Sequence, residues 1–204
     1  MRKLENLLCS IAVAGVLALG ASPATAAPTS VITGGSTAVR LSPSFLTALS
    51  SLGVNPAALY PGQLQTRDDK TYAVFPVTTG EVDLGTLKAE VDHSGGLSLA
   101  LAAKQVGLSD FVIDLTGSTP VLSGLVTVDG SLLTRLPLFD LDLSQAQIGM
   151  DKDQDGITVS NVGVSLTSTA ANALNGVFNI SALKQGVGVG TANVRAHLWD
   201  ARWR

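Results

Sequence analysis

Apolar and polar residues alternate with a period of two through most of this chain. Leu87, Ala89, Val91 and His93 alternate with Lys88, Glu90 and Asp92. After the turn signal Ser94-Gly95-Gly96 the alternation resumes at Leu97, Leu99 and Leu101. Successive side chains on a strand point to opposite faces, so these two runs predict a β-hairpin with one apolar and one wet face. Phe111, Ile113 and Leu115 alternate with Asp110, Val112 and Asp114, and Phe139, Leu141 and Leu143 alternate with Asp140 and Asp142. Further strands are predicted at residues 37–41, 71–77, 121–128, 157–166 and 190–198. Helical spacing occurs twice. Ser42 suits a cap and Pro43 a first helical position, Phe45, Leu49 and Leu52 share a face, and Gly53 ends the run. A second helix is predicted over residues 169–178, capped by Ser168, with Ala170, Leu174 and Phe178 four apart. About nine strands without strand–helix–strand alternation predict a mostly β fold. It is an antiparallel β-sandwich or partly open barrel with two short capping helices.

The ends of the chain read differently from its middle. Met1-Arg2-Lys3 is a positive start, residues 7–20 are apolar, and Ala24-Thr25-Ala26 is a small-x-small cleavage pattern. That layout predicts a secretory signal peptide over residues 1–26, because about 14 apolar residues fall short of the roughly 20 needed to cross a bilayer. The expected organisation is then a flexible stretch at residues 27–35, one β-rich domain over residues 36–198 and a short tail at residues 199–204. The expected location is secreted, periplasmic or in the cell envelope, with no stable membrane span once the leader is removed. The only cysteine, Cys9, lies in the leader, so the exported chain has no disulfide and no thiolate chemistry. The whole chain carries 13 basic and 16 acidic residues, a net charge of −3. No basic patch stands out, which argues against nucleic acid as a partner.

Four sets of residues could carry chemistry. Asp151, Asp153 and Asp155, followed by Gly156, match the first half of an EF-hand calcium loop. The twelfth position is Val162 rather than a bidentate glutamate, so a solvated hairpin turn is the competing reading. His93 shares the inward face of its strand, where it either binds a metal or haem or is a hydrogen-bonded core residue. Tyr60, in a loop at residues 55–62, and Tyr72 offer phenols. Asp110, Asp114, Asp140 and Asp142 offer paired acids for hydrolysis, or simply the wet face of a sheet. No nucleophile elbow, zinc helix motif, phosphate loop or dinucleotide fingerprint is present.

Several islands together resemble a known family. Ser44-Phe45 is followed by Phe75-Pro76-Val77, Gly80-Glu81-Val82-Asp83-Leu84 and Val91-Asp92-His93-Ser94-Gly95-Gly96-Leu97. Val164-Ser165-Leu166-Thr167, Ala170-Ala171 and Leu174-Asn175 close the series. In order and spacing these resemble the HtaA-type domain of secreted bacterial haem-uptake proteins. The resemblance implies a β-rich domain with short helices and a surface haem pocket. It also implies an iron-binding tyrosine on the first helix, just after the Ser-Phe pair, and a supporting histidine. His93 matches the histidine. The tyrosine position holds Leu46, Thr47 and Ala48, so Tyr60 takes that part only if its loop folds back. The expected function is a secreted, non-enzymatic domain that binds a small molecule or a component of the cell envelope. The alternatives are an HtaA-type haem-binding or haem-transport module using His93, and a hydrolase using the aspartate-rich strands.

Overall fold

The computed structural model describes residues 29–150 and 155–199. Its elements run β1 (Thr29–Leu41), α1 (Pro43–Ser51), β2 (Asn55–Leu59), β3 (Gln63–Arg67), β4 (Lys70–Asp83) and β5 (Ala89–His93). Then come β6 (Gly96–Leu101), β7 (Lys104–Asp114), β8 (Val121–Val128), β9 (Ser131–Asp142), β10 (Gln147–Met150), β11 (Gly156–Leu166), α2 (Ser168–Phe178) and β12 (Gly188–Leu198). The leader expected at residues 1–26 lies outside the described residues, as do Asp151, Asp153 and most of the tail.

Eight of the strands close on themselves. β5 pairs with β4, β4 with β1, β1 with β12, β12 with β11, β11 with β9, β9 with β8, β8 with β7, and β7 returns to β5. Every pairing is antiparallel, so the fold is a closed barrel rather than a sandwich. The alternation read in the sequence is the cause: inward residues such as Val91, Ile113 and Leu141 are buried while their neighbours face water. Closure leaves no exposed ring edge for another chain to pair with. Strands β2 and β6 extend the sheet from β7, β3 hangs on β4, and β10 hangs on β11.

The first strand begins at Thr29, earlier than expected. Thr29 faces Asp83 in register and Ser30 faces Val82, so most of the segment expected to be flexible is a wall of the barrel. Gly35, at the end of that segment, is a close-approach site. A Cβ on Gly35 would stand 2.0 Å from the Arg195 carbonyl oxygen.

Both helices plug one end of the barrel. Ser42 Oγ accepts the Phe45 N–H at 3.1 Å, Pro43 follows, and Leu49 is buried. At the other end of α1 the Val54 N–H reaches the Leu49 carbonyl and the Gly53 N–H reaches that of Ser50, a Schellman closure with Gly53 left-handed at φ +71°. The cap of α2 is Thr167, one residue before the serine expected. Its hydroxyl oxygen accepts the Ala170 N–H at 3.0 Å and its hydrogen goes to the Pro137 carbonyl at 2.7 Å. Ala170, Ala171, Leu174 and Phe178 are buried beside Leu41, Leu166 and Val189. The opposite end, where residues 84–88, 115–120 and 143–146 turn the chain, carries no helix.

Candidate functional site

His93 ends β5 with its ring inside the wall. It is 5% exposed. Nε2 lies 2.7 Å from Thr37 Oγ1, and Nδ1 lies 3.2 Å from the Phe111 carbonyl oxygen. A carbonyl only accepts, so Nδ1 carries a hydrogen. In the neutral ring Nε2 is then a bare acceptor, and the Thr37 hydroxyl donates to it. Burial pushes the His93 pKa down against the opposing pull of the Phe111 carbonyl, which keeps the ring neutral. Phe75, the register partner of Thr37, meets the Phe111 ring edge to face at 4.9 Å. Both ring nitrogens of His93 are therefore engaged within the protein.

Tyr60 stands outside the same stretch of wall. It follows β2, which replaces the first half of the expected loop, and it is 94% exposed. The turn at residues 60–62 folds back on the backbone beyond His93. A Cβ on Gly95 would stand 2.2 Å from the Gly62 nitrogen, and one on Gly62 would stand 2.9 Å from the Gly96 nitrogen. Gly95 also has φ +76°, a conformation that favours glycine. Glycines 62, 95 and 96 thus let the two backbones touch, which brings the turn that carries the exposed Tyr60 up to the chain just after the histidine's strand. Tyr72 is half-buried in β4 opposite Arg40.

Asp114 accepts the Thr116 N–H at 2.8 Å and its hydroxyl at 2.6 Å. Asp142 accepts the Ser144 N–H at 2.9 Å. These turn bonds hold both carboxyls below their ordinary range, from the Thr116 hydroxyl at Asp114 and from the Ser144 backbone at Asp142. A general acid for glycoside chemistry needs the opposite shift. Asp140 lies two strands from Asp114, with Val121 between them in register, and Asp110 is exposed with its neighbour's hydroxyl, Ser109 Oγ, donating to it at 2.9 Å. Of the calcium candidates only Asp155 is described. It is exposed, and its carbonyl takes the Leu198 N–H at 2.8 Å. Among the described residues no group of three histidine, cysteine, aspartate or glutamate side chains is placed to hold a metal.

No single residue announced an apolar cavity of about 320 Å³ within the barrel. All eight ring strands line it, and nearly all of its wall is aliphatic. The one hydroxyl deep inside belongs to Thr37, and Thr86 and Lys88 stand at the open end. Sealed and empty, a void of that size would cost on the order of 8 kcal/mol at about 24 cal/mol per Å³, comparable with the whole net stability of an ordinary domain. The signal in the sequence was faint: Ala89, Ala192 and Ala196 stand at inward positions where larger aliphatics would fill the space.

The architecture has solved counterparts. The C-terminal domain of HtaA from Corynebacterium glutamicum superposes with a TM-score of 0.62 at 14% identity, covering 83% of this chain and 99% of that one. The fold is of the HtaA type. The HtaA-type fold recurs in HtaB from the same organism, described as a heme binding protein, with a TM-score of 0.56 at 13% identity over 84% of this chain and 96% of that one. A domain-swapped dimer of a variant of the HtaA C-terminal domain gives 0.52 at 15% identity. No family model matches the chain, and no curated protein matches it by sequence.

Proposed function

We propose that this chain is a haem-binding domain, exported by its leader, that acts by holding its ligand and not by catalysis. The observation that carries this reading is the likeness of fold to a heme binding protein over 84% of the chain. The sequence islands around Ser44-Phe45 and His93 point the same way.

The first helix does not fit the resemblance, since Leu46, Thr47 and Ala48 supply no iron ligand. Tyr60 does fit by its chemistry. A phenolate is an established axial ligand for haem iron, and this phenol is open to solvent while its turn is anchored on Gly95. In this reading Tyr60 holds the iron. His93 braces the wall behind it through Thr37 and the Phe111 carbonyl and does not touch the metal. When bound, haem supplies an iron centre that takes an anionic oxygen ligand.

Titration of haemin into the exported chain tests this. A saturable Soret band is expected, with Tyr72→Phe behaving as the parent and Tyr60→Phe binding at least about tenfold more weakly. No band, or an unaltered titration in Tyr60→Phe, removes the assignment.

A further inference from the structure

We propose that the barrel interior is a second binding site, separate from Tyr60, which takes the hydrocarbon chain of a single-chain aliphatic carboxylate through the end of the barrel opposite the helices. A ring of eight strands encloses a space that holds either packed side chains or one small ligand. Here the side chains leave about 320 Å³ unfilled, which falls within the range of small-molecule sites and far above ordinary packing gaps. The wall is aliphatic, so the buried part of the occupant is hydrocarbon. At the open end the lining residues Leu87 and Ile148 are 42% and 51% exposed, an apolar lip over which a chain can enter.

The polar groups fix which way round it lies. The Thr37 hydroxyl spends its hydrogen on His93 and turns only lone pairs to the lumen. A carboxylate, which only accepts, finds no donor there. At the mouth, Lys88 is the one charged side chain among the described lining residues, and it is exposed beside Thr86. Asp83 lies close enough to feel the Lys88 charge, and its own carboxylate is occupied by the Gly85 and Thr86 N–H groups. Lys88 also borders a hollow on the outer side of this wall, where Glu81, Asp83, Glu90 and Asp92 face it, alternating with the inward Val82, Ala89 and Val91, so its ammonium stands between that acidic face and the mouth. The anionic head therefore stays at the mouth on Lys88 while the tail fills the barrel.

Calorimetric titration and thermal unfolding of the exported chain with palmitate test the proposal. One palmitate per chain is expected, with a rise in Tm by mass action. Ala192→Leu, which fills the lumen, should raise the Tm of the free chain and weaken palmitate at least about tenfold. If that variant does not fold, Ala196→Leu on the same strand gives the same reading. Lys88→Gln should weaken palmitate about threefold or more and leave hexadecanol unchanged. Absence of palmitate binding overturns the site, and so does full affinity in both leucine variants. Equal loss of hexadecanol and palmitate in Lys88→Gln overturns the placement of the head. Tyr60→Phe should bind palmitate like the parent, so failure of this site and failure of the haem reading are separate results.

Discussion

Replacing His93 with alanine is expected to lower the unfolding free energy by about 3–5 kcal/mol and to leave the Soret maximum of the haemin complex where it was. Two effects add in the stability term. The ring leaves a cavity inside the wall. The Thr37 hydroxyl and the Phe111 carbonyl, 2.7 Å and 3.2 Å from it, lose their partner inside the wall. The pH profile should change as well. Burial depresses the folded pKa of His93 below its unfolded value, so the unfolded chain takes up the proton first as pH falls. The stability tied to the neutral ring is complete above about pH 6.5, declines below it by no more than about 1.4 kcal/mol per pH unit, and levels off below the folded pKa. Denaturant unfolding between pH 7 and 5 should show this decline in the parent, with the His93 contribution gone from His93→Ala. A shifted Soret maximum in the folded variant would instead make His93 an iron ligand.

Gly95→Ala is expected to cost about 3 kcal/mol or more and to weaken haemin binding together with it. The backbone at Gly95 is left-handed, and the added Cβ would stand 2.2 Å from the Gly62 nitrogen. The turn carrying Tyr60 must then lift from the wall. Gly130→Ala is the control. Its φ of +81° is just as unfavourable, yet nothing lies within 4 Å of the new Cβ, so about 1 kcal/mol of strain is all it should show, with no effect on haemin. Equal losses in the two variants would mean that strain alone, and not contact with the Tyr60 turn, explains Gly95.

Much of this fold was legible because each barrel strand has one buried face. The alternation around Val91 and Ile113, the Ser42-Pro43 start of α1 and the Gly53 stop are local signals, and each stands where expected. Closure of the ring was not legible. The β5–β7 and β8–β9 pairings are compatible with a sandwich as well, and only the joining of β7 to both β5 and β8 makes a barrel. The alternation is lost at Gly34-Gly35, so the start of the first strand is not legible while the tight contact of Gly35 with β12 is unseen. The alternation placed His93 on an inward face, but its partners Thr37 and Phe111 lie 56 and 18 residues away. The fold-back of Tyr60 depends on glycines 62 and 95 meeting across 33 positions of sequence, which no local pattern encodes.

The claim that matters most is that an exposed phenol on an HtaA-type barrel holds haem iron. Resonance Raman spectroscopy of the ferric haemin complex tests it most directly. Vibrations of an iron-bound phenolate are expected in the parent and in Tyr72→Phe, and they should vanish in Tyr60→Phe. Identical spectra in the parent and Tyr60→Phe, or a spectrum of imidazole-ligated iron, would contradict it.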